Sequence, residues 1–234
     1  MSAQAGFEDA RRETVRYHEE FYASVRLGQP GTWLARPHGL LGEALARVAR
    51  DRPVVAYDLG AGVGRHTIPM LERLHAGSTV FAVDLLPSAL SALVSSAPAS
   101  VDVALRTRVA DLDTFEFEEP ADLVFAFSAI EHLPDRASIG RLSSRIRAAL
   151  RPGACVAIGI VADRVEVDRD GRTRPALLES AICAPDARDL LRETFADLSV
   201  VHQQSRPTSV REQRDGDQYT LASTLITWVG VLSR

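Results

Sequence analysis

Asp58 is followed by Gly60, Gly62 and Gly64, three glycines separated by single residues, and then by Arg65. Glycines so spaced allow a tight turn and let the backbone approach a ligand with no Cβ in the way. The pattern is G-x-G-x-G. A dinucleotide fingerprint would need glycine at 65, where Arg65 stands. Asp58 suits an amine-bearing ligand better than a pyrophosphate, which it would repel. The competing reading is a glycine-rich turn that binds nothing.

Two further carboxylates fall at matching places. Asp84 closes the apolar run STVFAVD about 20 residues beyond the glycines, a spacing at which a strand-end carboxylate takes ribose hydroxyls. A solvated strand end is its plain alternative. Asp111 follows ALRTRVA; its carboxylate can accept from an adenine amine while the N–H of Leu112 meets the ring. It could equally cap a turn. Each of the three lies at the carboxyl end of a consecutive strand, where open α/β sheets bind ligands. His132, in AIEHLPD, is the candidate proton acceptor, with a structural role as its alternative; Glu131 is weaker.

The elements that would position these residues alternate along the chain. PVVAYDLG, STVFAVD, ALRTRVAD, ADLVFAFS and ACVAIGIV read as strands, separated by helical segments such as PSALSALVSSA and ASIGRLSSRIRAAL. Continuous apolar strands between helices argue for a parallel sheet covered on both faces. Residues 1–50 read as two helices, the second from about Pro37 to Arg50, and form an N-terminal cap or lid segment. Tyr17, Tyr22 and Trp33 are candidates to close the site, though core packing would serve each equally. Residues 51–234 form the main domain, with additions near 163–184, read as a hairpin around Asp170-Gly171, and 203–219, read as a polar loop.

The glycine motif, Asp84, VADLDTF, LVFAFSAIEHLPD and LRPGACVAI together resemble the class I, Rossmann-like S-adenosylmethionine methyltransferases, in particular their small-molecule branch. The resemblance covers about residues 50–160. It implies a three-layer α/β sandwich with a seven-stranded sheet of order 3-2-1-4-5-7-6, strand 7 antiparallel. It also implies that Asp58, Gly60 and Gly62 flank the methionine part and that Asp84 holds the ribose, with Leu85 beside the adenine. Asp111 and Leu112 would bind the adenine, and Phe127 would pass close to the cofactor. Ala154 departs from the pattern, which often has glycine there.

Composition narrows the rest. All 27 basic residues are arginine. Without lysine there is no P-loop lysine and no Schiff base. A net charge of −4 gives no reason to expect nucleic acid or an anionic membrane as partner. The two cysteines and scattered histidines lack metal-ligand spacing, so no metal is expected. The expectation is a cytoplasmic monomer or homodimer that methylates a small-molecule acceptor from S-adenosylmethionine, leaving S-adenosylhomocysteine. The rivals are a non-enzymatic S-adenosylmethionine-binding sensor or partner subunit, and a nicotinamide-dependent oxidoreductase on a related fold.

Overall fold

The computed structural model describes residues 3–99, 102–214 and 217–233. Its strands are β1 (Val55–Leu59), β2 (Thr79–Asp84), β3 (Ala104–Val109), β4 (Ala121–Phe127), β5 (Leu150–Val167), β6 (Thr173–Pro175), β7 (Leu198–Arg214) and β8 (Asp217–Leu232). The helices are α1 (Ala3–Ser24), α2 (Gly39–Leu45), α3 (Thr67–Arg73), α4 (Pro87–Ser96), α5 (Arg136–Ala149) and α6 (Ala184–Thr194).

The strands form one sheet in the order β3-β2-β1-β4-β5-β8-β7, with β6 paired to β5. The first five run parallel to their neighbours, and β8 is antiparallel to both β5 and β7. Leaving out the short β6, this is the 3-2-1-4-5-7-6 order. Side chains alternate between two packed layers, as strand geometry requires. Tyr57 and Leu59 of β1 join Ile139 and Leu142 of α5 and Leu190 of α6; Ala56 joins Leu40 of α2 and Met70 of α3 on the other face. Burial on both faces is why these strands read as unbroken apolar runs.

Two elements differ from the sequence reading. The second helix is short, Gly39–Leu45, and gives way to a turn before Arg50. The polar loop expected at 203–219 is instead the outer part of the β7–β8 hairpin, paired from Gln203↔Trp228 to Arg214↔Asp217 around residues 215–216, which lie outside the described residues. Several side chains along this part of β7 are exposed polar groups, so the sequence carries no apolar alternation to mark a strand. Backbone pairing holds it, and β7 is an edge strand, where Pro207 is tolerated. The hairpin at Asp170-Gly171 is present: β5 and β6 flank it, Gly171 has φ +78°, and Asp168 Oδ1 accepts from Asp170 N and Arg172 N.

At the amino ends of the central strands, Asp122 is buried and fully used. Its carboxylate accepts from Arg52 (2.8 Å), Arg151 (2.8 Å) and the backbone N–H of Val55 (2.9 Å). These bonds overcome burial and hold its pKa below the usual carboxylate value.

Candidate functional site

The carboxyl ends of β1 and β4 carry turns with positive φ. Gly60 and Gly62 both have positive φ, and a Cβ at Gly60 would collide with that of Ala129. A Cβ at Gly62 would stand 2.6 Å from the Tyr22 hydroxyl, so α1 reaches directly over the glycine loop. After β4, Ser128 occupies the left-handed region with φ +51°, a conformation that costs a non-glycine residue of order 1 kcal/mol or more. Its N–H donates to Gly159 O at 2.9 Å, turning the chain so that Ala129 packs against Gly60.

Asp84 links two turns: Oδ2 accepts from Gly62 N (2.7 Å) and Oδ1 from Leu86 N (2.9 Å). Burial nevertheless raises its pKa, against these bonds. Asp58 lies behind the loop, 1% exposed, and its Oδ2 accepts from the Thr67 hydroxyl at 2.6 Å. Burial, with Asp84 adding to it, pushes its pKa up to about 7. Asp111 Oδ1 accepts from Asp113 N, and its Oδ2 pairs with Arg11 of α1 at 3.0 Å.

Two cavities open at this edge. The smaller, about 120 Å³, is lined by Asp84, Leu85, Asp111 and Leu112 below and by Arg11 and Val15 of α1 above. The larger, about 440 Å³, lies between α1, the 176–178 segment and the inner face of the β7–β8 hairpin. Gly60, Ser128, His18, Tyr22 and His132 line both, so the two meet there. Gly60 thus touches both cavities, whereas Gly62 lines only the larger and Asp58 lines neither. Phe127 faces the larger cavity, not the smaller; its ring packs against His38, with centroids 4.4 Å apart, and lies under Arg65.

At the junction, His132 Nδ1 lies 3.3 Å from Glu179 Oε2. Burial alone would raise the Glu179 pKa, but hydrogen bonds from His132 and Thr14 and the charge of His132 outweigh it, bringing it to about 2. An ionised Glu179 makes Nδ1 the donor and leaves Nε2 as the basic nitrogen. The His18 ring sits edge-on to His132 at 6.0 Å; burial, then the neighbouring His132, lowers its pKa to about 4, and its Nδ1 donates to Thr14 O. A neutral ring is thereby held beside His132.

Sequence reasoning singled out Asp84, Leu85, Asp111, Leu112 and Gly60, which the fold gathers around one cavity. It passed over Arg11 and His18 as helix-face residues and missed Glu179, Ser128, His38, His66, Arg164 and Arg206. A signal existed for the first pair: Arg11, Val15, His18 and Tyr22 recur at helical spacing, with two cationic or basic groups among them. Glu179 has none, being 47 residues from its partner. Among the described residues, no group of three His, Cys, Asp or Glu could hold a metal ion, and no helix is long and apolar enough to cross a membrane.

Residues 57–156 match a family model described as a methyltransferase domain. Two trans-aconitate 2-methyltransferases, from Methylobacterium radiotolerans and Methylobacterium nodulans, are each 32% identical over 116 residues, half of this chain. The match spans only 41% and 42% of their lengths. Among solved structures, TehB from Haemophilus influenzae superposes with a TM-score of 0.63 at 14% identity, over 92% of this chain and 67% of its own. An S-adenosylmethionine-dependent methyltransferase from Clostridium acetobutylicum gives 0.59 at 13% identity, over 95% and 98%. At such identities the structural likeness speaks to the fold.

Proposed function

We propose that the chain is a Rossmann-like class I methyltransferase, as the methyltransferase-domain match over residues 57–156 and the fold support, and that it moves the methyl group of S-adenosylmethionine to a small-molecule acceptor in the larger cavity. The observation that carries this reading is the junction of the two cavities at Gly60, Ser128 and His132.

The residues present fit the cofactor. Asp84 and Asp111 offer carboxylates to ribose and adenine, Leu85 and Leu112 offer apolar contact, and Gly60 and Gly62 leave room beside a buried acid, Asp58. An ammonium group near Asp58 would favour its ionised form and offset the cost of burial. The bound cofactor supplies a methyl group already activated by its sulfonium. The protein's part is alignment and exclusion of water, worth up to about 7–11 kcal/mol in favourable cases. Residues 1–50 serve as the cap, with Tyr22 of α1 above the glycine loop. His132, oriented by Glu179, takes the proton of a hydroxyl or amine acceptor as the new bond forms. A carboxylate acceptor, already ionised, would need no such help.

The test is incubation with methyl-labelled S-adenosylmethionine and a panel of organic acids, beginning with trans-aconitate, the acceptor named for the curated relatives. Label is expected in an extractable small molecule, and a protic acceptor should lose at least tenfold in kcat with His132→Gln. Tight S-adenosylhomocysteine binding with no transfer to any acceptor would favour the sensor or partner-subunit reading instead.

A further inference from the structure

One corner of the larger cavity gathers hydrogen-bond donors: His38, Arg65 and Arg206 line it together. His38 caps α2: its Nδ1 accepts from Leu40 N at 3.2 Å. A neutral imidazole that accepts at Nδ1 carries its proton on Nε2. Burial, then the charges of Arg206 and Arg65, lowers the His38 pKa to about 4, so the ring is neutral. Yet the Arg206 guanidinium nitrogen stands 3.3 Å from that same Nε2. With that tautomer two donors face each other at an exposed corner, where solvent or an anionic ligand can accept from both. Arg65 is the neighbouring cation: its Nε donates to Arg36 O at 2.9 Å, and its guanidinium lies over the rings of Trp33 and Phe127. No carboxylate is paired with Arg65 or Arg206 among the described residues.

We propose that this corner, formed by His38, Arg65 and Arg206, binds a carboxylate of the methyl acceptor, so that the substrate is an organic acid. This rests on the methyltransferase reading above. The placement suits a short molecule. Arg206 pairs with Leu225, which pairs with Val161, and Val161 N donates to Glu131 Oε1, next to His132. Two strand spacings separate Arg206 from Val161, roughly 10 Å. An acid a few carbons long, held at the corner, therefore reaches the junction of the cavities. Specificity follows from geometry too. Glu212 lies six residues along the same strand, about 20 Å from Arg206, so β7 presents its cavity-lining cation and its cavity-lining carboxylate at opposite ends.

The same chemistry could come from the cofactor's own carboxylate, and the experiment separates the two sources. Protein saturated with S-adenosylhomocysteine is titrated with citrate, and with neutral triethyl citrate, at constant ionic strength. Citrate should bind and the ester should not. Arg206→Ala and His38→Asn should each weaken citrate at least tenfold; asparagine retains the helix cap, so that variant keeps its fold. Arg211→Ala, on the same strand with its side chain on the other face, should change nothing. Citrate that fails to bind, or binds equally to Arg206→Ala, overturns the proposal. So does a tenfold loss of S-adenosylhomocysteine affinity in Arg206→Ala, which would give the corner to the cofactor. If the wild type binds no S-adenosylhomocysteine, the methyltransferase reading fails, and citrate titration of the free protein still decides the corner.

Discussion

Asp122 and Asp58 are both buried aspartates of the central sheet, one entering β4 and the other within β1, and they are treated in opposite ways. Asp122 receives two guanidiniums and a backbone N–H, and its pKa falls. Asp58 receives one described hydroxyl, and its pKa climbs to about 7. A carboxylate saturated by the protein holds the fold together. One left short of partners in the interior is maintained at a cost, and the cost is understandable if a ligand supplies the missing charge. The contrast extends to the whole molecule, since the amino-end network is closed while the carboxyl-end groups of Asp84, Asp111, His132 and the His38 corner face cavities.

That contrast can be broken experimentally, and the strongest lever is Asp84. Asp84→Ala should raise the S-adenosylhomocysteine dissociation constant about 100-fold, the loss of one or two charge-assisted hydrogen bonds. Calorimetry on variant confirmed folded by circular dichroism checks it. Asp122→Ala should do the reverse, losing about 1–3 kcal/mol in urea unfolding while leaving that affinity within about twofold. If Asp122→Ala weakened binding as much as Asp84→Ala, the division into two ends would be wrong.

Asp58 sharpens the comparison through pH. Its folded pKa is raised, so the native protein holds an extra proton between about pH 4 and 7, and stability falls as pH rises through that window. A ligand ammonium needs the ionised form. Affinity for S-adenosylhomocysteine should therefore fall as pH drops below 7, by about tenfold in all, and level off above it. Asp58→Asn should weaken binding about tenfold at pH 8 and flatten the profile. It should also gain about 1–2 kcal/mol of stability at that pH, read by thermal or urea unfolding. The smallest effect belongs to Arg11. Its pair with Asp111 is partly exposed and competes with an adenine amine for the same carboxylate, so Arg11→Ala should tighten binding by up to about fivefold.

How much of this was legible depended on how local the signal was. The inner strands β1, β2, β4 and β5 announce themselves because burial on both faces favours apolar residues, and Asp84 is found by its position after such a run, whereas Asp111 follows the partly exposed edge strand β3. The outer part of β7 is invisible by the same logic, because backbone pairing with β8 stabilises it rather than an apolar face. His132 could be named from sequence, but its partner Glu179 could not, since the 163–184 addition brings it back from 47 residues away. The His38–Arg206 corner joins residues 168 apart and depends on a tautomer set by a helix cap. Only coordinates reveal that.

The most direct test of the central claim is calorimetric titration of the full chain with S-adenosylhomocysteine and, separately, with NADH. Micromolar binding of the first, with no heat from the second, is the predicted result. Binding of NADH alone, or of neither ligand, would contradict it.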